Sequence, residues 1–287
     1  MLNKIKKLPR RIVSLLRFFK GLYRSKNIIT NWNKLFVLFL KNKNSNKNLQ
    51  VKVLIDDKTI NYIPYKDLRR VVDLYSVSIA DIFYNGYKKI YNQNFTLRKD
   101  DVVIDIGAHL GRFSFPTLVK YQGIKVYAYE PDVVNFNCIK NSIERNDFSN
   151  MLVENVAVFD KEGYYNFSNG PESSQGSLTE VGFFIDTSNS KKTSVKTKTL
   201  ESIFIEKDIK KCKLLKIDCE GSEYEIFHNL PDYIFKKIEN IYIEIHPTDK
   251  FQPESLKLFL TNKGFEVHEL TREDDCIEAI CTKKINQ

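Results

Sequence analysis

The stretch Val102-Val103-Ile104-Asp105-Ile106-Gly107-Ala108-His109-Leu110-Gly111-Arg112-Phe113-Ser114 constrains this chain of 287 residues more than any other. A β-branched apolar run carries an acid near its end, passes through a glycine loop and enters a helical pattern. That order places a nucleotide-sized pocket at the carboxyl end of the first parallel strand of an α/β sheet. From Asp101 onward strand and helix patterns alternate. Strands are expected near 102–106, 124–130, 151–158, 213–218 and 240–246, and helices near 112–121, 132–145, 222–229 and 253–262. Two closing strands follow near 264–270 and 276–282. Such alternation implies an α/β fold with a doubly wound, mostly parallel, seven-stranded Rossmann-like sheet. An insertion over 160–198 opens with an expected hairpin at Lys161-Glu162-Gly163. Its polar segment 170–177 is long enough to be a binding loop.

In the first loop, Gly107 and Gly111 let the backbone approach a ligand without an intervening Cβ. Ala108 and His109 complete the loop, and the helix opening near Arg112 offers N–H groups to an anion such as an amino-acid carboxylate. Asp105 stands where it would accept hydrogen bonds from an ammonium. A second run, Ile124-Lys125-Val126-Tyr127-Ala128-Tyr129, ends at Glu130-Pro131, and Glu130 lies 19 residues past Gly111. A carboxylate there can accept both hydroxyls of a ribose. Two such strand ends suit a ligand with an ammonium group and a ribose, and S-adenosylmethionine is one. A nicotinamide cofactor is disfavoured, because G-x-G-x-x-G needs glycines where His109 and Arg112 stand.

Two further strand ends carry acids. Leu214-Leu215-Lys216-Ile217-Asp218-Cys219-Glu220-Gly221-Ser222-Glu223 directs Asp218 and Glu220 to the carboxyl edge of the sheet, beside the first loop. There they can position substrate, act as a base or hold a divalent cation such as magnesium through oxygen ligands. Glu223 reads as an ordinary acid at a helix N-terminus. Ile241-Tyr242-Ile243-Glu244-Ile245-His246-Pro247 puts Glu244 and His246 on one face. His246, with an unperturbed pKa near 6.5, is the candidate general base, and Glu244 joins Asp218 and Glu220 as a candidate metal ligand. His228 and His268 read as structural.

Charge is distributed unevenly. Residues 1–50 hold 13 Lys and Arg and no acid, whereas the remainder carries 32 basic against 36 acidic residues. The basic excess therefore belongs to an N-terminal arm, and the mildly acidic body argues against nucleic acid as its substrate. Within the arm, 8–23 shows helical apolar spacing with a basic flank. That pattern suits either peripheral association with an anionic membrane through residues 1–24 or packing of the apolar stripe on the chain's own domain or on a partner. Five cysteines without a CxxC spacing suggest neither a disulfide framework nor a zinc site. No secretory signal is evident and the apolar run 35–40 is too short to span a bilayer, so a cytoplasmic protein is expected, peripheral at the inner face if the arm binds lipid. The organisation is a basic helical arm (1–50) that ends in a polar linker over 41–48, an accessory segment (51–98) with a hairpin and helices expected over 66–74 and 78–90, and a sheet domain (99–287).

On these residues the chain resembles the FkbM family of S-adenosylmethionine-dependent methyltransferases over about 100–247. The resemblance rests on IDIGAHLGRFS, on YAYEPD with Asn135 and Asn141, on NVAVFDKEG and VKTKTLESI, and above all on LLKIDCEGSEYEIF and IYIEIHP. It implies that Asp105, Gly107, His109 and Glu130 bind the cofactor, that Asn155 and Ala157 lie near its adenine, and that Asp218 faces the reacting centre. Cys219 stands where relatives often carry an apolar residue. The implied reaction is methyl transfer to a hydroxyl of a sugar, glycan, glycolipid or secondary metabolite. A nitrogen acceptor on protein or RNA, or a membrane-recruited binding module without catalysis, are the competing readings.

Overall fold

The computed structural model describes Tyr23 and residues 29–40, 50–55, 58–62, 79–169, 176–178, 192–273 and 275–284. The helix expected over 8–23 (Tyr23 excepted), the linker 41–48, the helix over 66–74 and most of the loop 170–177 lie outside the described residues. In chain order the elements begin with α1 (Trp32–Leu40), β1 (Val51–Ile55), β2 (Lys58–Tyr62) and α2 (Ile79–Tyr91). Next come β3 (Val102–Ile106), α3 (Ser114–Lys120), β4 (Lys125–Tyr129), α4 (Val133–Asn146) and β5 (Met151–Glu154). The insertion gives β6 (Ala157–Val158), β7 (Gly163–Asn169), β8 (Gly176–Leu178) and β9 (Lys192–Lys198). The second half holds α5 (Leu200–Glu206), β10 (Leu214–Ile217), α6 (Glu223–His228), α7 (Asp232–Phe235), β11 (Asn240–Ile245), α8 (Pro253–Asn262), β12 (Phe265–Glu273) and β13 (Cys276–Lys283).

Seven strands form one sheet in the order β12-β13-β11-β10-β3-β4-β5. The five strands from β11 to β5 run parallel, and β13 and β12 add antiparallel at one edge. This is the expected doubly wound sheet. From β3 the chain builds outward through β4 and β5, then returns to place β10 on the other side of β3. Such a reversal of direction leaves a crevice at the carboxyl ends of the two central strands.

Alternation along the strands separates two cores. Ile104, Ile106, Leu215, Ile217, Ile241 and Ile243 face the layer that contains α5 to α8. Val103, Leu214 and Tyr242 face α2, α3 and α4. The accessory residues complete this second core rather than standing apart from it. Ile29, Leu35, Val53, Ile60, Tyr62 and Phe83 are all buried within it. Tyr62 meets Phe115 edge-on at 5.1 Å, and Phe83 contacts Phe113 and Tyr242. Burial of each such side chain contributes about 1.5–3 kcal/mol. Polar contacts fix the register: the Asn146 side chain exchanges hydrogen bonds with the backbone of Asn61, and Asn31 does so with Gln50 and Lys52.

Two expectations need correction. The single strand expected over 151–158 divides, because the chain turns at Asn155, whose amide donates to the carbonyls of Glu130 and Pro131. β5 stays in the main sheet, while β6 starts a separate four-stranded sheet in the order β6-β9-β7-β8. The turn at Lys161-Glu162-Gly163 does not close a hairpin either. β9 lies between β6 and β7, parallel to one and antiparallel to the other.

Candidate active site

A cavity of about 320 Å³ opens at the crevice between β3 and β10, within the range of small-molecule sites. Gly107, Ala108 and His109 line it, as do Glu130, Ala157, Asp218, Glu220 and Glu244. Val158, Phe167 and Leu178 supply an apolar wall from the second sheet, and Ile82 on α2 contributes from the accessory segment. Asp105, Gly111, Asn155 and His246 do not line it, and each serves the wall from behind.

The glycine loop is shaped by its neighbour strand. A Cβ on Gly107 would lie 1.8 Å from the backbone oxygen of Asp218, and the residue has φ +71°, so only glycine fits. Gly111 answers to the opposite side, where a Cβ would meet the Phe115 ring at 2.5 Å. Between them His109 adopts φ 54°, a left-handed conformation that side chains seldom take. What holds it is Glu130: one carboxylate oxygen accepts the His109 N–H at 2.6 Å, and the other accepts the Asp132 N–H at 2.8 Å. Asp132 in turn caps α4 by accepting from the N–H groups of Val134 and Asn135. Burial pushes the Glu130 carboxyl up to about 8, despite these donors and the Asn135 amide.

Lys216 is the residue that the sequence reading passed over. It interrupts an apolar strand and is 2% exposed. Its Nζ donates to the Gly107 carbonyl at 2.7 Å and stands 3.3 Å from Asp105 and 3.5 Å from Asp218. Strand register explains the arrangement, since Lys216 pairs laterally with Asp105 on one side and Tyr242 on the other. Burial opposes the charged ammonium, yet the two carboxylates hold its pKa above the usual lysine range. Asp105 is fully buried and accepts from Ser114 Oγ at 2.6 Å. A lysine inside a run as apolar as Leu214-Leu215-Lys216-Ile217 was itself the available signal, because such a charge needs a partner.

At the far wall the β10 and β11 ends converge. Side chains of Asp218, Glu220 and Glu244 are 22%, 27% and 37% exposed, open to the cavity and closed by protein elsewhere. His246 lies beneath them, with Nε2 3.5 Å from both Glu220 and Glu244 and Nδ1 3.0 Å from Glu223. Burial works against an imidazolium, but Glu223, Glu244 and Glu220 raise His246 well above the usual histidine range. Glu220 is pushed up to about 8, chiefly by burial and then by Asp218 and Glu244, against the pull of His246. The charge on Asp218, with burial, raises Glu244. Asp218 resists its own burial because Lys216, His246 and His109 hold its carboxyl below the usual range. Side-chain atoms of Asp218, Glu220 and His246 that are able to ligate a metal lie within 4.8 Å of one another, as do those of Glu244, His246 and Cys276.

A doubly wound sheet whose switch-point crevice carries a glycine loop, a buried carboxylate at the end of the next strand and an acidic wall has the form of an α/β enzyme site for a nucleoside-sized ligand. The chain belongs to the FkbM methyltransferase family, whose domain matches residues 105–267, and it is accordingly an S-adenosylmethionine-dependent methyltransferase. It is 27% identical over 198 residues to the 31-O-demethyl-FK506 methyltransferase FkbM of Streptomyces tacrolimicus, covering 60% of this chain and 75% of that protein. It is 22% identical over 211 residues to methyltransferase sdnD of Sordaria araneosa, covering 63% and 81%. Among solved structures, M. jannaschii TYW2 in complex with AdoMet aligns with a TM-score of 0.41 at 12% identity, over 84% of this chain and 89% of that one.

Proposed function

We propose that this methyltransferase acts on a hydroxyl group of a sugar, glycan, glycolipid or secondary metabolite. The observation that supports this reading most is the acidic wall of Asp218, Glu220 and Glu244 beside the Gly107–His109 loop. Hydroxyls donate to carboxylates, and a carboxyl titrating near 8 matches the working pH of a base that must remove a hydroxyl proton. The donor's chemistry is a sulfonium-bound methyl group open to in-line displacement. In this reading Glu130 accepts the ribose hydroxyls, and Gly107, Ala108 and His109 follow the donor's contour. Ala157 and Val158 border its base. Asp105 acts through Lys216, which ties the loop to Asp218. Asp218, kept ionised, orients the acceptor hydroxyl; Glu220, its carboxylate stabilised beforehand by His246, takes the hydroxyl proton as the oxygen takes the methyl group and the sulfonium leaves as a neutral thioether. General base duty thus moves from His246, which does not line the cavity, to Glu220.

The fit to S-adenosylmethionine rests on the donor set itself: a carboxylate at ribose height, a loop stripped of one Cβ, and an anionic wall suited to a sulfonium. In this reading the His246 ring, with Nε2 3.5 Å from both Glu220 and Glu244, takes the place that a magnesium ion would hold in that wall. Glycans and lipids from a deletion strain should then include a species lacking one methyl group. Purified protein should remethylate that species at the same rate with or without a chelator. An unaltered glycan and lipid profile would overturn the glycan and glycolipid acceptors and leave a free sugar or secondary metabolite, and a rate lost to chelation and restored by magnesium would establish a metal site. No helix among the described residues is long and apolar enough to cross a membrane. Residues 1–24 would instead bring the enzyme to an anionic surface, where lipid-linked acceptors reside. Protein in a membrane pellet should be released by high salt, and a pellet resistant to salt would refute electrostatic attachment.

A further inference from the structure

Glu223 has no assigned role, and its position at the start of α6 gives it one reading as a helix-end acid. Its surroundings say more. The side chain is 0% exposed and makes three contacts, each at hydrogen-bond distance. One oxygen accepts the Cys219 N–H at 3.1 Å and meets His246 Nδ1 at 3.0 Å, and the other accepts the Gly221 N–H at 2.9 Å. The two amides flank Glu220, which adopts φ 55°, and the next residue, Gly221, has φ 105°. A left-handed glutamate is strained and persists only where its surroundings impose it. Ser177 Oγ fixes the same residue from the second sheet by donating to the Glu220 carbonyl at 2.8 Å.

We propose that Glu223 is a positioning residue of the active site: it holds the turn that presents Glu220 to the cavity and, through Nδ1, aims the His246 ring so that Nε2 faces Glu220 and Glu244. One buried carboxylate therefore sets both the base and the cation behind it. Carboxylates that accept from the imidazole nitrogen away from the chemistry keep that nitrogen protonated and fix the angle of the ring. Asp218 and Cys276 also face His246, but neither bonds its Nδ1 among the described contacts. The role assigned to Glu220 rests on the proposed hydroxyl transfer, whereas the geometry of the clamp does not.

The test uses the full chain with 15N-labelled histidine. Only His109, His228, His246 and His268 contribute signals, and His246→Gln assigns the one of interest. In the native protein at neutral pH, Nδ1 of His246 should be protonated and its proton protected from solvent. In Glu223→Gln that protection should be lost, and the amides of Cys219 and Gly221 should exchange about tenfold faster or more. S-adenosylmethionine affinity, measured by calorimetry, should be retained, since Glu130 lies on the other wall. An unprotonated Nδ1 in the native protein overturns the proposal whether or not the variant folds. So does a folded variant with unchanged His246 and amide signals. If the native protein shows the expected imidazole but ignores S-adenosylmethionine, the functional reading fails and the clamp stands.

Discussion

Lys216→Met lowers the stability of the protein by about 3–5 kcal/mol, read as a fall in the denaturant midpoint with an unchanged slope. Methionine fills a similar volume in the strand, so packing is nearly preserved and the loss isolates the charge. Without the ammonium, Asp105 stays fully buried with Ser114 as its remaining side-chain donor. The carbonyls of Ile106 and Gly107, which accept from Lys216 at 3.3 and 2.7 Å, lose that donor too. Removing one member of a buried pair costs more than removing both, because the survivor keeps its desolvation penalty. The double variant Asp105→Asn with Lys216→Met should therefore recover part of the loss. A single variant as stable as the native protein would show that the ammonium is not what sustains this junction.

Glu130→Ala reduces affinity for S-adenosylmethionine by about a hundredfold or more while the chain stays folded. Two hydrogen bonds from ribose hydroxyls to a carboxylate are worth about 1.5–3 kcal/mol each, and each 1.4 kcal/mol is tenfold in affinity. Calorimetry with the donor and with S-adenosylhomocysteine measures the change, and circular dichroism checks the fold. A folded variant with undiminished affinity would remove Glu130 from the ribose site. The native protein gives a second reading of the same group. Its carboxyl sits at about 8 in the donor-free state, and the ionised form is the better acceptor. Donor affinity should therefore climb as pH rises towards 8 and level off above it. Stability of the donor-free protein runs the other way. The folded chain keeps a proton that the unfolded chain releases near pH 4.5, so this contribution is complete below that value and is lost as pH rises through about 8.

What sequence reading captured and what it missed divide along a physical line. Strand identity and order were legible, because period-2 and period-3.6 apolar patterns are local properties. β3, β10, β11 and α8 fall where the patterns put them. Pairing is not local. Nothing in 157–169 announces that a strand 30 residues further on will insert between β6 and β7. The candidate site shows the same division. Acids at four strand ends are visible as motifs, but a motif gives the face of a side chain and not its depth. Asp105 and His246 turn out to lie one layer behind the cavity, and Asn155 braces the Glu130–Pro131 backbone instead of lining the pocket. Lys216, inside a strand, and Glu223, at a helix start, belong to patterns that do not tell which partners they meet in the fold.

The seam between α2 and the sheet bears on how this enzyme can be divided. The family's shared region begins at Asp105, yet Phe113, Phe115 and Tyr242 within it are sealed by Tyr62 and Phe83, which lie upstream. A fragment cut to the shared boundary would offer those rings to water as an adhesive surface and would also lose Ile82 from the pocket rim. Excising the upstream residues would therefore strip both insulation and a piece of the reaction chamber in one stroke.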